Sequence, residues 1–131
     1  KTILIVEDDK DLMLAMSVRL IAQGFTTLSA HDAASAIQLA AMRKPDLILM
    51  DLGLPDNNGF VVMEIMSQLK SASTVPIIVV SARPADVYRD AALMAGARDY
   101  FQKPYDNDAL MSAIHRELDE EEHRLIETSN C

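Results

Sequence analysis

Short strand-like runs alternate five times along this chain with segments whose apolar residues recur at helical spacing. That alternation restricts the fold more than any other feature of the sequence. Ile3–Val6, Leu47–Met50 and Val75–Val80 lack the polar–apolar alternation of a half-solvated strand, so they suit strands buried on both faces. Phe25–Ala30 and Arg98–Phe101 read as two further strands. After the first strand, Leu12, Ala15, Met16 and Leu20 mark a helix face, and Gly24 stands where a C-cap glycine belongs. Asp32 is expected to cap a helix reaching about Met42, with Ala36, Ile37, Ala40 and Ala41 on its inner face. Phe60–Leu69 reads as a helix. Pro84–Ala95 reads as another, with proline in its first turn and Gly96 just past its end. A last helix begins at Asn107 or Asp108 and carries Leu110, Ile114 and Leu118 on one face. Strand followed by helix, five times over, implies right-handed crossovers and a parallel sheet covered on both sides.

The length of 131 residues suits one domain. Residues 1–118 are expected to form it, with 119–131 a C-terminal helical extension or linker in which Leu118 and Leu125 stand seven apart. The eight methionines are expected to fill core space. No apolar stretch approaches the ~20 residues of a membrane span. No basic-plus-apolar leader opens the chain, which begins at Lys1 rather than Met and reads as trimmed. The single cysteine, Cys131, is the last residue; no internal disulfide is expected, and the cytoplasm is the expected compartment. A net charge of −8, from 12 basic and 20 acidic residues, argues against nucleic-acid binding by this domain, since no basic field attracts phosphates. The acidic run Asp119–Glu122 reads as a solvated helix face.

The other acids stand at strand ends. In a doubly wound sheet, ligands bind beyond the carboxyl ends of the strands where strand order reverses. In the flavodoxin-like (βα)5 order 2-1-3-4-5, that point lies between strands one and three. Glu7, Asp8 and Asp9 follow the first strand and Asp51 follows the third, and neighbouring strands lie about 4.8 Å apart. Carboxylates gathered so closely raise one another's pKa or need a cation, and a hard, oxygen-liganded Mg²⁺ fits. Asp9 is as well placed to cap the following helix. Strand four ends on Ser81 and strand five is followed by Lys103. A carboxylate nucleophile, a hydroxyl donor, an ammonium and a metal site are what phosphoryl transfer requires. A rigid strand tip would aim Asp51 at phosphorus.

These motifs, "VEDD", "LMDLGLPDNNG", "VVSA" and "DYFQKP", in that order on a five-fold β/α frame, resemble the receiver domain of two-component response regulators across about residues 2–118. The resemblance implies that Asp51 is the phosphoacceptor, fed by a phosphohistidine on a sensor histidine kinase or phosphotransfer protein. It implies Asp8 as a direct Mg²⁺ ligand, Glu7 acting through water and the Gly53 carbonyl completing the shell. It implies Lys103 and Ser81 holding phosphoryl oxygens, Tyr100 as an aromatic switch, a cis Lys103–Pro104 bond, and a tight turn with positive φ at Gly59. The surface of the fourth helix, fifth strand and fifth helix is the expected signalling face, acting on an output module or partner, with homodimerisation on phosphorylation a further possibility. Gly53 and Arg83, two residues beyond Asp51 and Ser81, imply slow self-dephosphorylation, because glycine orients no water and an arginine shields phosphate. Such a domain is a signalling phosphoacceptor rather than an enzyme.

Two readings stay open beside it: a pseudo-receiver acting only as a protein-interaction module, and the receiver domain of a hybrid histidine kinase. An FMN-binding flavodoxin fits poorly, since Glu7-Asp8-Asp9 occupy its phosphate-loop position. A dehalogenase-type phosphatase fits poorly because Gly53 stands where its second acid is needed. His31, His115 and His123 read as solvent-facing, Tyr105 as a surface aromatic, and Arg98 as charge at the start of strand five.

Overall fold

The computed structural model describes residues 1–69 and 72–129, with side chains through Asp119. The strands are β1 (Thr2–Val6), β2 (Thr26–Ala30), β3 (Leu47–Met50), β4 (Ile77–Ser81) and β5 (Asp99–Gln102). The helices are α1 (Lys10–Ala22), α2 (Ala33–Arg43), α3 (Gly59–Ser67), α4 (Ala85–Met94) and α5 (Asn107–Ser129). All strand pairs are parallel, in the order β2-β1-β3-β4-β5. The expected doubly wound flavodoxin-like sheet is therefore what forms.

Strand periodicity divides the core. Leu4, Val6, Ile48, Met50 and Val79 face one side, against Ala36 and Ala40 of α2, Val62, Met63 and Met66 of α3 and Ala92 of α4. Ile3, Ile5, Leu47, Leu49, Ile78 and Val80 face the other, against Met13, Met16 and Leu20 of α1 and Leu110, Ile114 and Leu118 of α5. Both faces of β1, β3 and β4 are dry, which is why their sequences are unbroken apolar runs. Each fully buried aliphatic side chain contributes about 2 kcal/mol of transfer free energy.

The expected face of α1 needs correction: Leu12 is 41% exposed and Ala15 is exposed too, while Met13 takes the inward place. The methionines also divide, since Met42 and Met94 are exposed rather than core filler. Tyr105 is half-buried and meets Phe101 edge to face at 6.5 Å, not a free surface aromatic. Exposed His115 rests its ring 5.4 Å from that of Phe25. Arg98 precedes β5 and pairs with buried Glu117 at 3.7 Å. The side chains of His123 and Leu125, most of the Asp119–Glu122 run, and all of Cys131 lie outside the described residues.

Helix ends are closed by short polar side chains. Asp9 accepts from the amides of Asp11 and Leu12, Asp32 from Ser35, and Asn58 from Val61. Gly24 and Gly96, past the ends of α1 and α4, take φ of 91° and 111°. Gly59 differs from expectation: its φ is not positive, and its constraint is close approach. A Cβ there would stand 2.8 Å from the Asp51 carbonyl oxygen and 2.9 Å from Leu52 Cα, both backbone atoms at the tip of β3. Gly59→Ala is therefore expected to lower unfolding free energy by about 1–2 kcal/mol, overlap outweighing the helix-propensity gain of alanine. Urea unfolding checks this, and an unchanged midpoint would contradict it.

Candidate functional site

Parallel pairing puts the carboxyl ends of β1, β3, β4 and the turn after β5 on one rim. The Asp51 amide donates to the Val6 carbonyl at 3.0 Å, which extends the β1–β3 ladder by one residue and fixes the acid at the strand tip. Its Oδ1 accepts from the Gly53 amide at 3.1 Å and its Oδ2 from Lys103 Nζ at 3.3 Å. Glu7, only 2% exposed, receives the Lys103 ammonium on Oε1 and the Asp9 amide on Oε2 at 3.2 Å. Asp8 is exposed at the mouth. Glu7, Asp8 and Asp51 each offer a carboxylate oxygen, and these lie within 4.8 Å of one another. Three such oxygens converging on one point, with solvent access beside Asp8, fit a hard divalent cation that keeps part of its water. Asp9 turns instead to its cap.

Burial pushes the Glu7 carboxyl up to about 7, against the pull of the Lys103 hydrogen bond and with the help of the Asp51 charge. Burial draws Lys103 down, but the Glu7 hydrogen bond and the charges of Asp51 and Glu7 outweigh it and hold the ammonium above its ordinary range. Lys103 is thus a fixed positive charge between two acids. The Lys103–Pro104 peptide is cis, as the resemblance implied.

Ser81 ends β4 almost fully buried. Its Oγ accepts from the Arg83 amide at 3.2 Å, and its carbonyl accepts from the Lys103 amide at 2.8 Å, tying hydroxyl and ammonium to the same rim. Tyr100 sits on β5 opposite Val79 with its ring inside the protein, and its hydroxyl donates to the Arg83 carbonyl at 2.7 Å. Burial raises its phenol pKa, partly offset by the Ser81 hydroxyl. The Arg83 guanidinium lies 5.3 Å over the Tyr88 ring of α4. The backbone of Arg83 therefore joins Ser81 to Tyr100 while its side chain joins α4. Gln102 adds a second tie, its Oε1 accepting from the Ala85 amide at the start of α4 at 2.9 Å.

The site residues expected from the sequence meet at this rim, Tyr100 from the inside through the Ser81 hydroxyl and the Arg83 carbonyl. Sequence reasoning missed Gln102 and Asp56. Asp56 accepts from the amides of Ala33 and Ala34 at 2.7 and 3.2 Å, and the one available signal was that the first turn of α2 carries no acid of its own. A groove of about 420 Å³ opens beside Lys103, between α1 and the turn into α5. It is lined by the outward Leu12, Ala15, Arg19, Tyr105 and Asn107.

A doubly wound parallel sheet with three acids and one ammonium gathered at its switch point is the frame in which this site is set. The chain belongs to the response regulator receiver domain family, whose model matches residues 3–115. The KDP operon transcriptional regulatory protein KdpE of Escherichia coli is 42% identical over 103 residues, covering 79% of this chain and 44% of KdpE. Protein PilH of Pseudomonas aeruginosa is 32% identical over 116 residues, covering 88% of this chain and 96% of PilH. The chain spans about half the length of the KdpE proteins it matches. Among solved structures, the receiver domain of a sensor histidine kinase from Pseudomonas aeruginosa, with a magnesium ion coordinated in its active site cleft, superposes with a TM-score of 0.83. It is 28% identical and covers 90% of this chain and 97% of that one. Among the described residues, no helix is long and apolar enough to cross a membrane.

Proposed function

We propose that this chain is a phosphoacceptor receiver, taking a phosphoryl group from a phosphohistidine of a sensor histidine kinase or phosphotransfer protein onto Asp51. The observation that carries the reading is the Asp51 carboxylate held at a strand tip, 3.3 Å from Lys103 Nζ, inside the cluster with Glu7 and Asp8. An Asp51 oxygen forms the bond to phosphorus as the phosphorus–nitrogen bond of the donor imidazole breaks, and the nitrogen keeps the electron pair. Lys103 moves its hydrogen bond from the acids to a phosphoryl oxygen, and Ser81 donates to another. Glu7, Asp8, Asp51 and the Gly53 carbonyl are the groups to hold Mg²⁺, which when bound supplies positive charge against the phosphoryl oxygens. The groove beside Lys103 offers the donor protein a surface next to the nucleophile.

The product adds nearly two negative charges at the rim. Drawing Ser81 toward them pulls the Arg83 amide, and with it the turn that Tyr100 and Gln102 tie to β5. The output is then a change in the α4–β5–α5 surface, read by a downstream module, a partner or a second copy. Residues 1–118 act as the receiver and 119–131 as the extension leading from it, in the cytoplasm. Incubation with Mg²⁺ and acetyl phosphate, followed by intact mass, tests the reading. One added phosphate supports it, and an unmodified chain supports the pseudo-receiver alternative instead.

The phosphate is also expected to be long-lived. A Cβ at Gly53 would meet only Asp51 Oδ1, at 4.0 Å, so an asparagine fits and its amide reaches water near the acyl phosphate. Phosphorylated wild type, freed of donor, should outlast Gly53→Asn several-fold by intact mass. Loss from the wild type within seconds would contradict this.

A further inference from the structure

The two acid-bearing loops of the site are joined a second time, around the outside, through the N-terminus of α2. On one side, the Glu7 amide donates to the Ala30 carbonyl at 3.0 Å, and His31 Nδ1 lies 3.1 Å from the Glu7 carbonyl oxygen. The turn into α2 is therefore fastened to the loop after β1. On the other side, Asp56 reaches across from the loop after β3 and takes the amides of Ala33 and Ala34. Asp32 takes the third free amide, that of Ser35, at 2.8 Å. The first turn of α2 is thus satisfied by the N-cap carboxylate of Asp32 and by one from 23 residues away. Asp56 lies in the same short loop as Gly53, and that loop is otherwise braced by the Gly53–Asn58 bridge and the Gly59 amide on the Leu52 carbonyl at 2.9 Å.

From this closed ring we infer that Asp56 is a positioning residue for cation binding. Its bond to α2 sets the distance between the Glu7–Asp8 loop and the Asp51–Gly53 loop. The inference rests on the receiver reading of the site and deepens it. Asp56 touches no reacting atom and acts through the loop that carries Gly53. Groups that orient ligands from outside the coordination shell commonly change metal affinity by tenfold or more. Asp56 stands outside the reacting atoms, so its loss is expected to act on cation affinity rather than on the transfer step once the site is filled.

Calorimetric titration with Mg²⁺ alone tests this on the wild type, Asp56→Ala and Asp56→Asn. Asp56→Ala is expected to bind Mg²⁺ about tenfold more weakly. Asp56→Asn keeps one acceptor oxygen, enough for the Ala33 amide but not for the Ala34 amide, which bonds the other oxygen, so it should weaken binding less than Asp56→Ala. At saturating Mg²⁺ the phosphorylation rate from acetyl phosphate should match the wild type in both variants. Hydrogen exchange should quicken at both the Ala33 and Ala34 amides in Asp56→Ala and at the Ala34 amide alone in Asp56→Asn. Wild-type affinity in Asp56→Ala overturns the inference, as does equal weakening in the two variants while Asp56→Asn still protects the Ala33 amide, which would make the effect one of charge alone. A wild type that binds no Mg²⁺ overturns the receiver reading itself and the inference with it.

Discussion

Asp51→Asn is expected to take up no phosphate from acetyl phosphate under conditions in which the wild type gains one. Asparagine keeps the size of the side chain and an oxygen for the Gly53 amide, so the β3 tip is preserved. What disappears is the anionic oxygen that would attack phosphorus, and a neutral amide is no substitute nucleophile. Neither neighbouring acid is placed to replace it. Glu7 is buried with both oxygens committed, one to Lys103 and one to the Asp9 amide, and Asp8 stands at the exposed mouth. Ser81→Ala should behave differently. It removes one hydrogen bond to the transferred group, worth about 1 kcal/mol, so uptake should slow about tenfold or less and still reach one equivalent. Intact mass over a time course separates the cases. Phosphate on Asp51→Asn would place the acceptor elsewhere and remove Asp51 from its role.

The legibility of that site follows from where its parts stand. Strand ends are local features: "ILIV" before Glu7 and "LILM" before Asp51 announce two buried strands and their last residues. Parallel topology then brings every carboxyl end to one rim. Ser81 and Lys103 were legible for the same reason. The face of α1 was not, because Leu12, Met13, Leu14, Ala15, Met16, Val18, Leu20 and Ile21 offer several apolar stripes. Only packing against β1, β3 and α5 selects Met13, Met16 and Leu20. Gly59 was read as a φ requirement because a glycine gives the same signal whether it serves φ or close approach, and coordinates alone separate the two. Asp56 and Gln102 act on helix ends 23 and 17 residues distant, beyond any local capping pattern.

The ion-free protein is expected to lose about 2–3 kcal/mol of stability as pH rises from about 5 to about 8, and Glu7 is the cause. The Glu7 carboxyl sits at about 7 in the folded chain against an ordinary 4.5, burial being the largest contribution. A raised acid binds its proton more tightly folded than unfolded. Between the two values the native state therefore holds the extra proton, and stability falls with rising pH until both states are ionised. Lys103, held above its ordinary range, stays charged throughout that window and adds nothing to the slope. Glu7→Gln removes this titration and should lose most of the slope over the same range. Mg²⁺ should act in the opposite sense, because ligands must be deprotonated to bind it, so the stabilisation it confers should grow as pH passes 7. Urea unfolding of both proteins across this range, with and without Mg²⁺, reads all three effects. A Glu7→Gln variant that kept the wild-type slope would assign the proton to another group and leave Glu7 ionised in its buried place, neutralised by Lys103 alone.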